Sequence, residues 1–402
     1  MLSEEALEKA VQAILRQLGA VNTLYIRKIA AQIKRIGELN QSSINRLIAM
    51  AEMDADLGEI TDKLRTAVGV SNAAIGKLYE RALRETYTDR RFSAYLAQNP
   101  QAIRPQARQR IARYTQVLWR QTAGNLANYS NTTAVTMRQA YTAAIDKAIL
   151  ATSTGVSSYT ETMRSTIRQI GRAGMQITYA SGYHRRLDTA VRQNIVDGVN
   201  QLSKTAAVMI GGEINETAGR DVYDAIELTA HARSAPDHEP VQGRVFLKAE
   251  FEKMQAGQPF QDADGAQYDG FRRPIGEWNC RHAPISFSTE WSVRTWTNEQ
   301  LQGFIDQNHK GCVINGKRRT LYEAMQMMRN IETAVRREKD TAVAAQAAGD
   351  DVLRQQCQLN INALVRQYAA IAKASGNAEK RQRMTVEGFK PAKVAAKTGN
   401  QH

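Results

Sequence analysis

The chain has 402 residues, of which 43% are hydrophobic and 6% aromatic, so its core must be largely aliphatic, a composition that favours helices over sheets. Its net charge of +14 favours a polyanionic partner (a nucleic acid, a membrane surface or an acidic protein) over a basic surface that serves only solubility. Three cysteines exclude a disulfide framework, the acidic N-terminus argues against a signal peptide, and no apolar run is long enough to predict a membrane span.

The first 220 residues are predicted to form a series of helices. Apolar side chains recur every three or four residues from Leu7 to Leu18 and again from Ile26 to Ile36, which is the spacing of one helix face. Glycines are expected to separate or end these helices, because glycine lowers helix stability. The glycines concerned are Gly19, Gly58, Gly69, Gly171 and Gly174.

Basic residues are concentrated in the middle of this helical region, between residues 90 and 187. The stretch contains fourteen Arg or Lys residues and only two acidic ones, Asp146 and Glu161, so it carries most of the excess positive charge. We expect it to contact a polyanion. The arginines predicted to make this contact are Arg104, Arg108, Arg110, Arg113, Arg120, Arg164, Arg168, Arg172, Arg185 and Arg186.

The spacing of Arg164, Arg168 and Arg172 places their side chains on one helix face, where a bound anion would relieve their mutual repulsion. The chain shows no helix-turn-helix, RRM or zinc-finger signature, so contact with nucleic acid is expected to be independent of sequence. The same arginines could instead dock an acidic protein or form a solvated face. Three interleaved aromatic residues could stack on bases: Tyr114, Trp119 and Tyr129.

Residues 221–297 differ in composition from the helical region. They hold five of the eight prolines and several glycines, which predicts a loop-rich module. Short β-like runs at residues 241–247 and 283–287 predict a small sheet within it. The module also contains four potential metal ligands: His231, His238, Cys280 and His282.

The helical pattern returns after this module. Residues 298–375 are predicted to form a helical hairpin that turns at residues 349–351, with Met328 and Ile331 facing Leu364 or Val365. Residues 376–402 are predicted to be a basic, frayed tail. The predicted fold class is therefore mostly α with a small α+β module, divided into residues 1–220, 221–297, 298–375 and 376–402.

Four segments carry a resemblance to a known family: YASGYHRRLD at residues 179–188, HARSAPDHEPVQGRVF at 231–246, GEWNCRH at 276–282 and TLYEAMQMMR at 320–329. In this order they resemble a phage minor capsid protein family related to the phage Mu F-like head-morphogenesis proteins. The resemblance spans roughly residues 20–390. It implies a structural virion protein inside the head near the portal, made in the host cytoplasm, with a role in head assembly or genome delivery. The implied partners are the portal, other head proteins and phage genomic DNA, with several copies of the chain per virion.

The resemblance also bears on the four potential ligands. Mu F-like relatives often carry a paired-cysteine motif before a glycine turn, and then His-Pro-Asn-Cys-Arg-Cys. By position, His238 replaces the second upstream cysteine, Ala235 the first, Glu277 the downstream histidine and His282 the last cysteine, whereas Cys280 matches. Zn²⁺ accepts such nitrogen and sulfur ligands, so His231, His238, Cys280 and His282 could bind it. The alternative is a hydrogen-bonded polar cluster that joins loops to the sheet.

We expect no enzymatic activity, because the chain has no glycine-rich phosphate loop, GxSxG or HExxH motif. An acid–base group of Asp237, His238 and Glu239 would be the basis for an alternative, a packaged enzyme or toxin-like effector that acts on nucleic acid. A second alternative is a scaffold-like assembly protein that never contacts DNA. His184 and His309 are expected to be isolated surface or packing residues.

Overall fold

The computed structural model describes residues 2–38, 43–154, 159–270, 273–276, 280 and 282–394. Its first half is almost entirely helical, as the apolar periodicity predicts. The helices before the small sheet are α1 (Glu4–Glu38), α2 (Ser43–Tyr87), α3 (Arg90–Gln98), α4 (Pro105–Thr154), α5 (Tyr159–Ala173) and α6 (Leu187–Ala218), with a hairpin of β1 (Gln176–Thr178) and β2 (His184–Arg186) between α5 and α6. No helix within the described ranges combines the length and the apolar character that crossing a membrane requires.

The remaining elements mix short strands and helices. They are β3 (Ala225–Leu228), β4 (Val245–Leu247), α7 (Lys248–Gln255), β5 (Phe260–Gln261), β6 (Gln267–Tyr268), β7 (Pro284–Phe287), α8 (Asn298–Lys310), β8 (Cys312–Ile314), β9 (Lys317–Arg319), α9 (Leu321–Ala348), α10 (Asp351–Ser375) and a short 3₁₀ helix (Arg381–Met384). All the paired strands are antiparallel. The prediction of a mostly α chain with a small α+β module is confirmed.

The module contains a three-stranded sheet in the order β4–β3–β7. Both outer strands fall within the runs predicted as β-like, whereas the central strand β3 was not predicted. All four residues of β3 are buried, and Ile226 and Leu228 belong to a core cluster with Phe246 and Met254. The sheet is therefore held by an apolar core of its own.

The glycines were expected to interrupt or end helices, but most of them do not. Gly19, Gly58, Gly69 and Gly171 all lie inside helices, and only Gly174, with a positive φ of 59°, follows the end of one. The reason is that the apolar faces of α1, α2 and α5 continue across these positions, and packing outweighs the roughly 1 kcal/mol that one glycine costs a helix.

The chain divides into two compact units, each assembled from three separate segments. One consists of Met1–Val11, Asn72–Gly124 and Gln193–Ala324, and it contains the sheet and all four potential metal ligands. The other consists of Gln12–Ser71, Asn125–Arg192 and Met325–His402. The four-part division drawn from the sequence stays a prediction.

Helices α9 and α10 form the predicted hairpin. Gly349 between them has a φ of 73°, and the Asp350 side chain accepts a hydrogen bond from the Leu353 amide at the start of α10. Across the pair, the Tyr368 hydroxyl bonds to Glu332 at 3.0 Å. The inward face differs from the prediction: Ile361 and Tyr368 are buried, whereas Leu364 and Val365, the expected contacts of Met328 and Ile331, are only half-buried.

The described part of the segment after α10, residues 376–394, is held against helices rather than frayed. It runs along the helices of its unit, and side chains of those helices donate hydrogen bonds to its backbone carbonyls. The bonds include Thr23 to Glu387, Arg27 to Gly388, Arg336 to Arg383 and Lys339 to Met384, at 2.6 to 3.0 Å. We call residues 376–394 the C-terminal strap.

Candidate functional site

The His/Cys cluster lies where two loops of the module meet. His238 belongs to a tight turn in which its backbone amide bonds to the carbonyl of Ala235, and Cys280 and His282 lie just before β7. The turn leads to Gly243, whose φ is 70°; a Cβ atom there would lie 2.4 Å from Leu301 Cδ2. The positive φ and the close approach of Leu301 both favour glycine at this position.

Three of the four predicted ligands come together. Cys280 Sγ lies 3.5 Å from His238 Nδ1 and 3.7 Å from His282 Nδ1, and all three side chains are buried. Their ligand atoms lie within 4.8 Å of one another. His231 is outside this set, although its ring centroid is 5.2 Å from that of His282.

The second nitrogen of each histidine in the set has its own partner. His238 Nε2 lies 3.0 Å from the backbone carbonyl oxygen of Arg273, and because a carbonyl only accepts, this nitrogen carries the proton. His282 Nε2 lies 3.2 Å from the Ser234 hydroxyl. Both rings therefore present Nδ1 towards the Cys280 sulfur, an arrangement that metal-binding histidines commonly show.

Ionisation of Cys280 and His238 is coupled. Burial by itself raises the pKa of the Cys280 thiol, but the hydrogen bond from His238 and nearby backbone groups outweigh it, so that the pKa is lowered. Burial likewise lowers the pKa of His238, but hydrogen bonds to Cys280 and to the Arg273 carbonyl outweigh it, so that the pKa is raised. The pair thus favours a thiolate, the form of cysteine that binds metal ions.

The donor set fits Zn²⁺. With Zn–N bonds of about 2.0 Å and Zn–S bonds of about 2.3 Å, a tetrahedral site requires nitrogen and sulfur ligands roughly 3.6 Å apart. The two sulfur–nitrogen distances, 3.5 and 3.7 Å, match that requirement. A fourth ligand would have to be a reoriented His231 or a water molecule. The same contacts are also those of a hydrogen-bonded polar cluster, the alternative drawn from the sequence.

If the cluster binds Zn²⁺, the purified protein should carry about one equivalent, and His282→Ala should lose it, because only two of the three converging donors would remain. The measurement is metal analysis after purification without chelators. His184→Ala is the matched control, since His184 is an exposed residue of β2, and it should keep the metal. A wild-type protein without metal after dialysis against zinc would leave the polar cluster as the correct interpretation.

The acid–base group considered as the basis for an enzyme comes together only in part, because His238 Nε2 lies 3.7 Å from Asp237 Oδ2 whereas Glu239 is turned away. Asp237 forms an ion pair with Arg273 at 2.8 Å and is half-exposed, whereas Glu239 is buried and points away towards His309, with its carboxylate 2.7 Å from His309 Nε2. His309 is therefore hydrogen-bonded to Glu239 rather than isolated. Although the three residues are consecutive in one tight turn, only Asp237 and His238 lie near each other. Glu277, the counterpart of the family histidine, lies outside the described residues.

The predicted polyanion contacts separate into two groups. In the unit that contains the sheet, Glu213 of α6 pairs with Arg104 at 2.5 Å and with Arg110 at 2.9 Å. In the other unit, Arg164 pairs with Asp350, and Arg172 pairs with Glu338. Arg186 is buried and pairs with Asp340 and Asp188. Arg185 is half-buried. Burial and internal pairing make Arg186 unsuitable for contact with DNA, which corrects that prediction.

Four of the ten arginines remain exposed without a described carboxylate within ion-pair distance: Arg108, Arg113, Arg120 and Arg168. The aromatic residues expected to stack on bases have internal roles instead. Trp119 donates to the Asn72 carbonyl at 3.1 Å and lies against Gly76, and the Tyr114 hydroxyl bonds to Thr205. Tyr129 is half-buried.

The sequence analysis missed the carboxylates that pair with these arginines. One signal was available: Glu213 interrupts an apolar stretch of α6, and a buried carboxylate requires a cation.

Comparison with known proteins adds one finding. A family model described as phage minor capsid protein 2 matches residues 2–373. No curated protein and no solved structure matches the chain.

Proposed function

This chain belongs to the phage minor capsid protein 2 family, and from that premise we propose that it lies inside the phage head near the portal and contacts the genome without reading its sequence. Membership makes it a virion protein whose partners are other virion components. We propose a structural role in head assembly or genome delivery, with no catalytic activity. The His/Cys cluster would then stabilise the module, with or without Zn²⁺.

One observation carries the proposal of DNA contact, namely the exposed face of α4. From its start at Pro105 to Ile145 the helix contains no acidic residue. Arg113 and Arg120 are both exposed and seven residues apart, which places them on the same side of the helix two turns from each other. Arg108 adds a third exposed cation nearer the start of the helix. Glu213 pairs with Arg110, but no described carboxylate lies within ion-pair distance of Arg108, Arg113 or Arg120, so phosphates can approach these three regardless of base sequence.

Replacing Arg108, Arg113 and Arg120 together by Gln should weaken DNA binding and reduce its dependence on salt. Each phosphate contact contributes about −0.9 to the slope of log affinity against log salt concentration, so the slope should become shallower by roughly 2 to 3. The measurement is a salt titration of the full-length protein on two duplexes of unrelated sequence, and both should respond equally.

The control changes Arg65, Arg81 and Arg220 to Gln, which removes the same net charge from exposed arginines that already pair with carboxylates. This variant should keep the wild-type slope. Equal slopes for both triple variants would refute a specific role of α4. If the wild-type protein does not bind DNA but binds an acidic surface of the portal through the same arginines, these arginines dock the portal. The chain would then act as a scaffold without DNA contact.

A further inference from the structure

The three arginines on one face of α5 are not neutralised equally. The two outer ones pair with the α9–α10 hairpin: Arg164 makes two hydrogen bonds to Asp350, at 2.6 and 3.2 Å, and Arg172 lies 3.3 Å from Glu338. The middle one, Arg168, is exposed and has no carboxylate within ion-pair distance in the described part of the chain. The hairpin thus supplies two carboxylates for three guanidinium groups.

Arg168 is exposed, and it also lines a cavity of about 270 Å³. Three helices of the same unit line it. The lining residues are Arg168 and Arg172 of α5, Glu338 and Thr341 of α9, and Gln356, Cys357 and Asn360 of α10. Apart from Cys357 these side chains are polar or charged, so the cavity suits a hydrated or charged ligand rather than an apolar one.

The charge of the cavity favours an anion. Among the described lining residues Glu338 is the only acidic one, and both of its oxygens already accept hydrogen bonds, one from Arg172 at 3.3 Å and the other from Asn360 at 2.9 Å. The guanidinium of Arg168 remains as an uncompensated cation, and Arg172 keeps further N–H groups beyond the one that bonds to Glu338. Planar guanidinium groups one turn apart suit the oxygens of a phosphate group.

The position of the cavity is fixed by close helix packing. Gly171 lies between the two arginines of α5, and a Cβ atom on it would lie 2.4 Å from Thr341 Cα. The absence of a side chain therefore lets α5 touch the backbone of α9, and Arg168 and Arg172 are held on either side of this contact. A ligand bound there would meet arginines on a rigid support, which lowers the entropy lost on binding.

We propose that this cavity is a phosphate-binding site with Arg168 as its principal ligand and Arg172 as the second. The phosphate could come from a free ion or from the DNA backbone. The site rests on the proposed function only if the phosphate belongs to the DNA backbone.

The test is calorimetric titration of the full-length protein with inorganic phosphate in a phosphate-free buffer. Saturable binding in the millimolar range or tighter is expected for the wild-type protein. Arg168→Gln should weaken it by roughly tenfold or more, because a charge-assisted contact is lost. Arg113→Gln, an equal charge change on α4, should leave phosphate binding intact. Since Arg168 is exposed, the fold of the variant should survive, which its thermal transition can verify.

A second titration identifies the source of the phosphate. If inorganic phosphate competes with a duplex and Arg168→Gln makes the salt dependence of duplex binding shallower, the site takes a backbone phosphate. If duplex binding is the same for Arg168→Gln and wild type, the site takes the free ion. Either result supports the site. No saturable phosphate binding, or equal binding by Arg168→Gln and wild type, would overturn it, whatever the α4 variants show about DNA.

Discussion

The Arg91→Met variant is expected to lose about 3–5 kcal/mol of unfolding free energy, because it would leave two buried carboxylates without their cation. Arg91 of α3 pairs with Asp89 at 2.7 Å and with Glu227 of β3 at 3.0 Å, and all three residues are buried. Glu227 also accepts two hydrogen bonds from Thr295. These bonds would not compensate its full charge once the guanidinium is gone.

The measurement is urea-induced unfolding of the wild-type and variant proteins. Arg220→Met is the control, since Arg220 forms an ion pair with Glu290 in which both side chains are more than half exposed, and its loss should cost less than about 1 kcal/mol. Adding Glu227→Gln to Arg91→Met should recover part of the loss, because it removes one uncompensated charge. Equal costs for Arg91→Met and Arg220→Met would mean that the buried group is not organised around Arg91.

Asp89 makes the same group sensitive to acid. Burial alone raises the pKa of Asp89, but its bonds to Arg91 outweigh this and lower the pKa to about 2. A carboxyl group with a depressed pKa stabilises the folded state fully above its unfolded pKa of about 3.9, and this contribution disappears as the pH falls towards 2. The stabilisation from Asp89 is therefore intact at neutral pH, where the Arg91 comparison is best made.

Gly171→Ala is the second substitution with a large expected effect, a loss of about 1–3 kcal/mol or more. The new methyl carbon would lie 2.4 Å from Thr341 Cα, and because that atom belongs to the backbone of α9, one of the two helices would have to move. Alanine normally stabilises a helix relative to glycine by up to about 1 kcal/mol. A loss of unfolding free energy in Gly171→Ala would therefore indicate close packing of α5 against α9.

Gly124→Ala is the matched control. Gly124 also lies inside a long helix, α4, but no atom of the described residues comes within 4 Å of the Cβ position, so this variant should be as stable as the wild type or slightly more stable. Urea-induced unfolding measures both variants. If Gly171→Ala proved as stable as Gly124→Ala, α5 and α9 would not pack at the distance described.

The helices could be predicted from sequence because each has an apolar face that repeats every three to four residues. Strand β3 could not, because Ala225–Leu228 is four residues long and buried on both faces, so it shows no alternation, and Glu227 within it looks like a surface residue. The burial of Glu227 depends on Arg91, which is 136 residues away in the chain. Pattern analysis of one segment cannot detect such a partner.

The candidate site shows the same limit. The family resemblance brought His231, His238, Cys280 and His282 into one prediction, and the fold places the last three together. The arginine predictions counted charges along the chain, but Asp350 is 186 residues from Arg164, and Glu213 is 109 residues from Arg104. Only the tertiary structure shows which of the cations are already neutralised and which are available to a partner.

The C-terminal strap is fastened through its main chain, and this bears on how its sequence can vary. Arg27, Arg336 and Lys339 bond to carbonyl oxygens of the strap, groups that every amino acid possesses. Substitutions on the helices that remove these donors would release the strap, whereas many exchanges along the strap itself would leave the bonds intact. Homologous chains could therefore differ at many strap positions, though not at buried Met384, and still hold the segment against the same helices, provided that the helix positions keep their long cationic side chains.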